Sequence, residues 1–296
     1  MKPFYPIDAL ISHHYFREPR QVAEVMQLQQ AGITRFIGDS GAFSALSLGA
    51  TVDLPTYATW CRTWWNRFCW CASLDVIGDP RGSWENWHTL RDKYDLLTVP
   101  TLHAGCGTEW LDAYAHEGVD LIGLGGMASK VQAPRAFRWV LEMIRHARDH
   151  WPVVRFHLWG VIGHNFLETF PVWSADSSGL LIKAAKFGDL RLFDPALGAN
   201  RTVPLRGNAV YKIGRLLRKT YGVDPAMIER SHSGNRDLLM RLQITSAQYY
   251  ADFLQRRHQV TPPVMFRDGA AARLRGPRLH IVDTNFDQLK PMLNER

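Results

Sequence analysis

Cysteine is scarce, and its spacing fits no metal framework. The four cysteines are Cys61, Cys69, Cys71 and Cys106. No C-x-x-C pair and no His-x₃₋₅-His run accompanies them, so a structural zinc site is not expected. Free thiols in a reducing cytoplasm are the expectation. Cys69 and Cys71 lie two apart in a strand-like run, which predicts one shared face. Long hydrophobic runs are missing too. No apolar stretch reaches the roughly 20 residues that cross a bilayer, and Met1-Lys2-Pro3-Phe4 opens no signal-peptide core. A cytoplasmic protein without membrane contact is therefore expected. There is also no internal repeat of fixed period, which argues against a solenoid.

Acidic residues run short in the last third. Residues 1–200 carry a net charge of −2 and residues 201–296 a net charge of +9, so the whole excess of +7 lies C-terminal. Such a block suggests a polyanion, above all nucleic-acid phosphate, as partner. A solvated basic surface is the plain alternative. The 296 residues suffice for one large α/β domain or a domain with an appendage. With 46% hydrophobic and 21% charged residues, the chain reads as globular rather than disordered. Its eleven tryptophans suit a core, or stacking on bases.

What is present is an alternation of short apolar runs and helical patterns. Strands are expected at 8–12, 34–39, 69–75, 97–103, 119–124, 153–159 and 172–176, with 190–194 as an eighth. Helices are expected at 19–31, 55–68, 84–94, 108–116, 134–150 and around 165–169. β-α units at this spacing argue for a parallel sheet, and eight strands would close a modified TIM-type (β/α)₈ barrel. A doubly wound open sheet is the competing architecture. After residue 200 the pattern changes to two basic helices, 203–221 and 246–258, and a Gly-containing basic loop at 269–278. The expected organisation is a barrel over 1–200 and a basic, mainly helical region over 201–296.

The expected strand ends collect polar groups. The first ends in Ser12-His13-His14, the second carries Asp39-Ser40-Gly41, and the third leads to Asp75 and on to Asp79. The fourth ends in His103-Ala104-Gly105, the fifth in Gly125-Gly126-Met127, the sixth carries His157 and the seventh Asp176. Strand ends of this kind point into the mouth of an α/β barrel. Two carboxylates converging there, Asp39 and Asp176, can divide nucleophile and acid/base duties. A flat heterocycle fits among the rest. Asp75 accepts from ring N–H and amine donors, Ser40 and His103 meet a ring carbonyl, Gly125-Gly126 permits close backbone approach, and Met127 offers a polarizable face. Each residue alone has a plainer reading. A lone Asp in such a turn also serves as a helix N-cap, Asp79 before Pro80 reads as a turn residue, and a lone histidine is commonly a core residue. The joint pattern carries the case.

In this order the motifs resemble the tRNA-guanine transglycosylase superfamily, and especially the shorter 7-deazaguanine DNA transglycosylases of phages and bacteria. D-S-G-A-F at 39–43 is similar to the family's D-S-G-G-F turn, and L-D-V-I at 74–77 to its base-recognition turn. H-A-G at 103–105 stands where the tRNA enzymes carry Q-G-G, and G-L-G-G-M at 123–127 resembles their G-G-L segment. H-L-W-G-V-I-G at 157–163 and S-A-D-S-S at 174–178 resemble the approach to the nucleophile and its turn. The resemblance implies a TIM-type barrel and a two-step base exchange without a cofactor. It implies Asp176 as nucleophile, Asp39 as acid/base and Asp75 as base reader. Ser40, Gly41, His103, Gly105, Gly125, Gly126, Met127 and His157 would line the base site.

Two departures shape the expected substrate. The tRNA enzymes carry a C-x-C-x-x-C…H zinc site after the barrel, and here no cysteine follows Cys106. The turn after Asp176 also lacks the family's P-T-R, leaving Lys183, Lys186 or Arg191 to grip the phosphate there. With Arg206, Lys212, Arg215, Arg218 and Lys219, these form the expected phosphate contacts. The leading expectation is exchange of guanine in DNA for a 7-deazaguanine, such as 7-cyano-7-deazaguanine, with guanine leaving. The alternatives are a zinc-less tRNA-guanine transglycosylase, a non-catalytic nucleic-acid-binding barrel subunit, or a hydrolase of small nucleosides.

Overall fold

The computed structural model describes residues 8–18, 20–21, 35–127, 133–161, 164–177, 188–205, 207–231, 236–263 and 278–283. Strands β1 (Asp8–Ser12), β2 (Arg35–Asp39), β3 (Phe68–Cys71), β4 (Thr101–His103), β5 (Leu121–Gly125), β6 (Arg155–Leu158) and β7 (Ser174–Ser177) follow the expected alternation. β8 (Asp189–Asp194) and β9 (Ala199–Pro204) form a separate antiparallel pair, and β10 (Arg278–Asp283) returns to the main sheet. That sheet holds eight strands in the order β3-β2-β1-β10-β7-β6-β5-β4, every pair parallel. A parallel bridge between Ala72 and Val99 joins its two edges. There Val99 N–H donates to Cys71 O at 2.8 Å and Ser73 N–H to Val99 O at 2.7 Å. The result is a curled, TIM-like sheet flanked by helices.

Alternation sorts the side chains between two layers, because successive residues of a strand point to opposite faces. Ala9 and Ile11 pack outward with Phe36, Tyr57, Cys61 and Leu90. Leu10 packs inward with Ile37, Trp70, Val99, Leu121 and Trp173. Trp70 of β3 reaches His157 of β6 at 5.1 Å and His280 of β10 at 6.3 Å between ring centroids. These strands are not neighbours, so the rings meet across the interior of the curl. At the strands' N-terminal end, buried Asp8 pairs with Arg35 at 3.3 Å and Arg278 at 2.6 Å.

The flanking helices start where their caps dictate. Asp53 accepts the Thr56 N–H ahead of the helix Leu54–Trp64, with a proline in its first turn. Asp79 does the same for Gly82 N–H ahead of Pro80–Tyr94, so it is a cap and not a ligand. The helix Ala133–His150 buries Ala136, Val140, Met143 and Ala147 in the core, a stripe at the helical period. The expected helix at 19–31 lies outside the described residues, apart from Arg20 and Gln21.

Three expectations need correction. Leu190–Asp194 is not the eighth strand of the sheet. It pairs with Ala199–Pro204 across a short turn that has Gly198 at φ +62°. A hairpin needs only a few linking residues, whereas joining a parallel neighbour needs a crossover of a dozen or more. The eighth strand is Arg278–Asp283, between β1 and β7. Residues 201–296 thus supply a strand to the main sheet, and residues 188–263 lie between β7 and β10 in the chain. Second, residues 203–221 are not one helix. Val203 belongs to β9, followed by a 3₁₀ run Gly207–Ile213, an α turn Gly214–Leu216 and a π turn Leu217–Tyr221. Gly207 and Gly214 disfavour a continuous helix. The second basic helix does form, starting earlier, as Arg236–His258. Third, Cys69 and Cys71 do not share surroundings. The β2–β3 register shifts between Phe36 and Ile37, and such an irregularity breaks the two-residue alternation. Cys71 is buried beside Cys61, while Cys69 is exposed near Asp8 and Arg35.

Candidate active site

The second strand ends in Asp39, and the next residues turn sharply. Gly41 sits at φ +73°, and a Cβ there would come within 2.4 Å of His14 Cβ and 2.6 Å of Ser12 Oγ. Only glycine fits this turn. Its N–H donates to Asp39 Oδ2 at 3.0 Å. Asp39 is therefore held by the turn and does not cap the helix Ala42–Ser47, whose N-cap is Gly41. Ser40 is buried, and its hydroxyl accepts the Ala42 N–H at 3.3 Å, so it too is engaged within the turn.

The charges around Asp39 come from the loop after β3, which carries Asp75 four residues beyond the strand's end rather than on it as expected, and from β7, which carries Asp176. Its pKa is raised from 3.8 to about 7, first by burial and then by the negative charges of Asp75 and Asp176. The Ser12 hydroxyl and the Gly41 N–H offset part of this. Burial and like charge both favour the protonated acid. Two of the carboxyl groups expected at one mouth, those of Asp75 and Asp176, thus act on the third.

Asp176, on β7, is buried. Its Oδ1 accepts the Gly160 N–H at 2.9 Å and lies 3.2 Å from His157 Nε2. His157 Nδ1 lies 2.7 Å from Ser174 Oγ. His157 has no exposed surface, which places it behind Asp176 rather than on the wall of an open pocket. Asp75 pairs with His103, Oδ2 to Nε2, at 2.8 Å. Gly125 is next to this pair. A Cβ there would lie 3.2 Å from Thr101 Cγ2, 3.4 Å from His103 Cδ2 and 3.6 Å from Trp159 Cδ1. Trp159 is anchored by donating to Thr101 Oγ1 at 3.0 Å.

The other expected site residues differ in their surroundings; a Cβ on Gly126 would lie 3.7 Å from His103 Cβ, beside the same pair. Met127 is buried in the apolar layer with Leu102, Leu124 and Ala136. Gly126, at φ +78°, and Gly105, at φ +105°, are exposed. His13 packs edge-on against Tyr57 and Trp60, and burial beside Arg17 lowers its pKa to about 4. It is a neutral core histidine. Lys212, Arg215, Arg218 and Lys219 are exposed, with Arg218 paired to Asp224 at 3.4 Å. Lys183, Lys186 and Arg206 lie outside the described residues. Among the described residues no group of three or more His, Cys, Asp or Glu could hold a metal ion, and no helix is long and apolar enough to cross a membrane.

Sequence reasoning did not single out Ser174, Gly160 and Trp159 as individual site residues. Ser174 carried a legible signal, since it lies two before Asp176 and a strand repeats its face every second residue. Gly160 contributes a backbone N–H, for which residue type gives no signal. Directly beyond two of the carboxylates, Phe43 is 67% exposed and Val76 and Ile77 are exposed as well. No family model, curated protein or solved structure matches the chain.

Proposed function

We propose that the chain is a base-exchange glycosyltransferase that replaces guanine in DNA with a 7-deazaguanine through a covalent glycosyl-Asp176 intermediate. The observation that carries this reading is the raised pKa of Asp39, about 7, brought about by burial and by the charges of Asp75 and Asp176. One carboxyl poised near neutrality beside a second, hydrogen-bonded one is the pairing that glycosidic chemistry uses. The target nucleotide is flipped out of the strand to reach them.

In the first step an Asp176 oxygen bonds to the sugar C1′ and the C1′–N9 bond breaks. Its electron pair goes to guanine N9, which takes a proton from the Asp39 carboxyl. In the second step the incoming 7-deazaguanine returns a proton to Asp39, and its nitrogen attacks C1′ and displaces Asp176. Two inversions restore the original configuration. Asp75, oriented by His103, accepts from the N–H donors of the base. Gly125 leaves room beside that pair. The exposed cations Lys212, Arg215, Arg218 and Lys219 hold phosphates, which positions the strand without reading its sequence.

The test is base exchange with labelled guanine in duplex DNA and in tRNA, read by nucleoside mass spectrometry. Release of guanine from DNA and a covalent DNA adduct are expected, both absent from Asp176→Ala. Exchange in tRNA alone would move the substrate to RNA. An adduct that persists in Asp176→Ala would remove Asp176 from the role.

A further inference from the structure

His157 is a buried histidine to which the steps of the proposed base exchange assign no role. It cannot touch a base, because it has no exposed surface. It is nonetheless tied at both ring nitrogens, to Ser174 Oγ at 2.7 Å and Asp176 Oδ1 at 3.2 Å. The register explains the arrangement: His157 and Ser174 are direct partners across β6 and β7, and Asp176 lies one step further along the same face. Trp70, Trp159 and His280 close around the ring at 5.1, 4.2 and 5.7 Å between centroids. A carboxylate only accepts hydrogen bonds, so the nitrogen facing it carries the proton. In the neutral ring Nδ1 is then an acceptor, and the Ser174 hydroxyl donates to it.

We infer that His157 is a positioning residue for Asp176: its Nε2–H and the Gly160 N–H together hold Oδ1, and Oδ2 is the oxygen that attacks the sugar. This rests on the proposed base exchange. Both donors converge on Oδ1 and neither reaches Oδ2. Fixing one oxygen restricts rotation of the carboxylate and presents the other in a single direction, which is how oriented groups lower a barrier. Ser174 in turn selects the tautomer.

The experiment compares wild type, His157→Gln and His157→Asn. A glutamine amide reaches about as far as Nε2, whereas an asparagine amide reaches only about as far as Nδ1. The readouts are the single-turnover rate of adduct formation, KM for the incoming base, and the ¹⁵N spectrum of the wild-type histidines. His157→Asn should form the adduct about 10- to 100-fold more slowly, the loss expected for a hydrogen bond to a charged group. KM should be unchanged, and His157→Gln should recover most of the rate. An asparagine variant within twofold of wild type, or glutamine and asparagine equally impaired, would overturn the assignment. The wild-type spectrum decides even if a variant fails to fold: the Nε2–H tautomer sustains the assignment and the Nδ1–H tautomer overturns it. If wild type exchanges no base, the functional reading falls, and the tautomer alone then decides whether His157 holds Asp176.

Discussion

Asp39→Asn should change how the protein's stability depends on pH. In the folded chain Asp39 titrates near 7, against 3.8 for an ordinary aspartate. Between those values the folded state keeps the proton and the unfolded state releases it. Stability from this group is therefore present at low pH and is lost as pH rises from about 4 to about 7. At about 1.36 kcal/mol per pH unit, the whole effect is about 4 kcal/mol. Between pH 5 and pH 8 alone it is about 2–3 kcal/mol. The asparagine variant carries no titrating carboxyl, and its amide oxygen can still accept the Gly41 N–H. The assay is urea denaturation of wild type and variant at pH 5, 6, 7 and 8. Wild type should lose about 2–3 kcal/mol more than the variant across that range, with the difference levelling off above pH 7. Parallel curves for the two proteins would refute the reasoning, because they would mean that Asp39 is ionised in the fold at pH 5. Base exchange by the variant should fall with loss of the proton carrier, and full activity would remove Asp39 as the acid/base.

Asp176→Asn and Asp75→Asn each remove a charge that raises the Asp39 pKa. Each should lower it below 7 without restoring an ordinary value, since burial is the largest cause; ¹³C NMR of the Asp39 carboxyl gives the readout, and no change with either variant would separate the sites. Gly41→Ala forces a Cβ into His14 and Ser12 at a positive φ, so it should cost about 1–3 kcal/mol in thermal or urea melts and disturb the neighbouring Asp39. Asp8→Ala removes the buried carboxylate that the partly exposed Arg35 and Arg278 share and should destabilise by about 1.5–3 kcal/mol, the worth of hydrogen bonds between charged groups, whereas a loss under about 1 kcal/mol would show that the cluster is solvated. Replacing Lys212, Arg215 and Lys219 with Glu should weaken DNA binding and flatten its salt dependence, by about 0.9 in the slope of log K against log salt for each phosphate that is no longer neutralised. An unchanged slope would clear that face of phosphate binding.

The local pattern of the chain determined a good deal. Asp8–Ser12 reads as a strand from its short apolar run and is one, and Asp79-Pro80 reads as a turn and caps a helix. The placement of Asp39 and Asp176 on strands was likewise legible, because a short apolar run announces itself in a few residues, whereas Asp75, expected at a strand end, lies in the loop after β3. Tertiary structure decided what depends on distant partners. Arg278–Asp283 is the strand beside β7, and Leu190–Asp194 is half of a hairpin; both segments have strand composition, and only the competition between a short local turn and a long crossover separates them. Likewise His157 is a histidine at a strand end in sequence. It becomes the buried neighbour of Asp176 only because β6 pairs with β7 in one particular register. The pKa of Asp39 belongs to the same class, since it is produced by burial and by two charges 36 and 137 positions away in the chain. Periodicity and turn chemistry act over a few residues and can be read directly. Register, burial and mutual electrostatics arise only when separate strands are brought together.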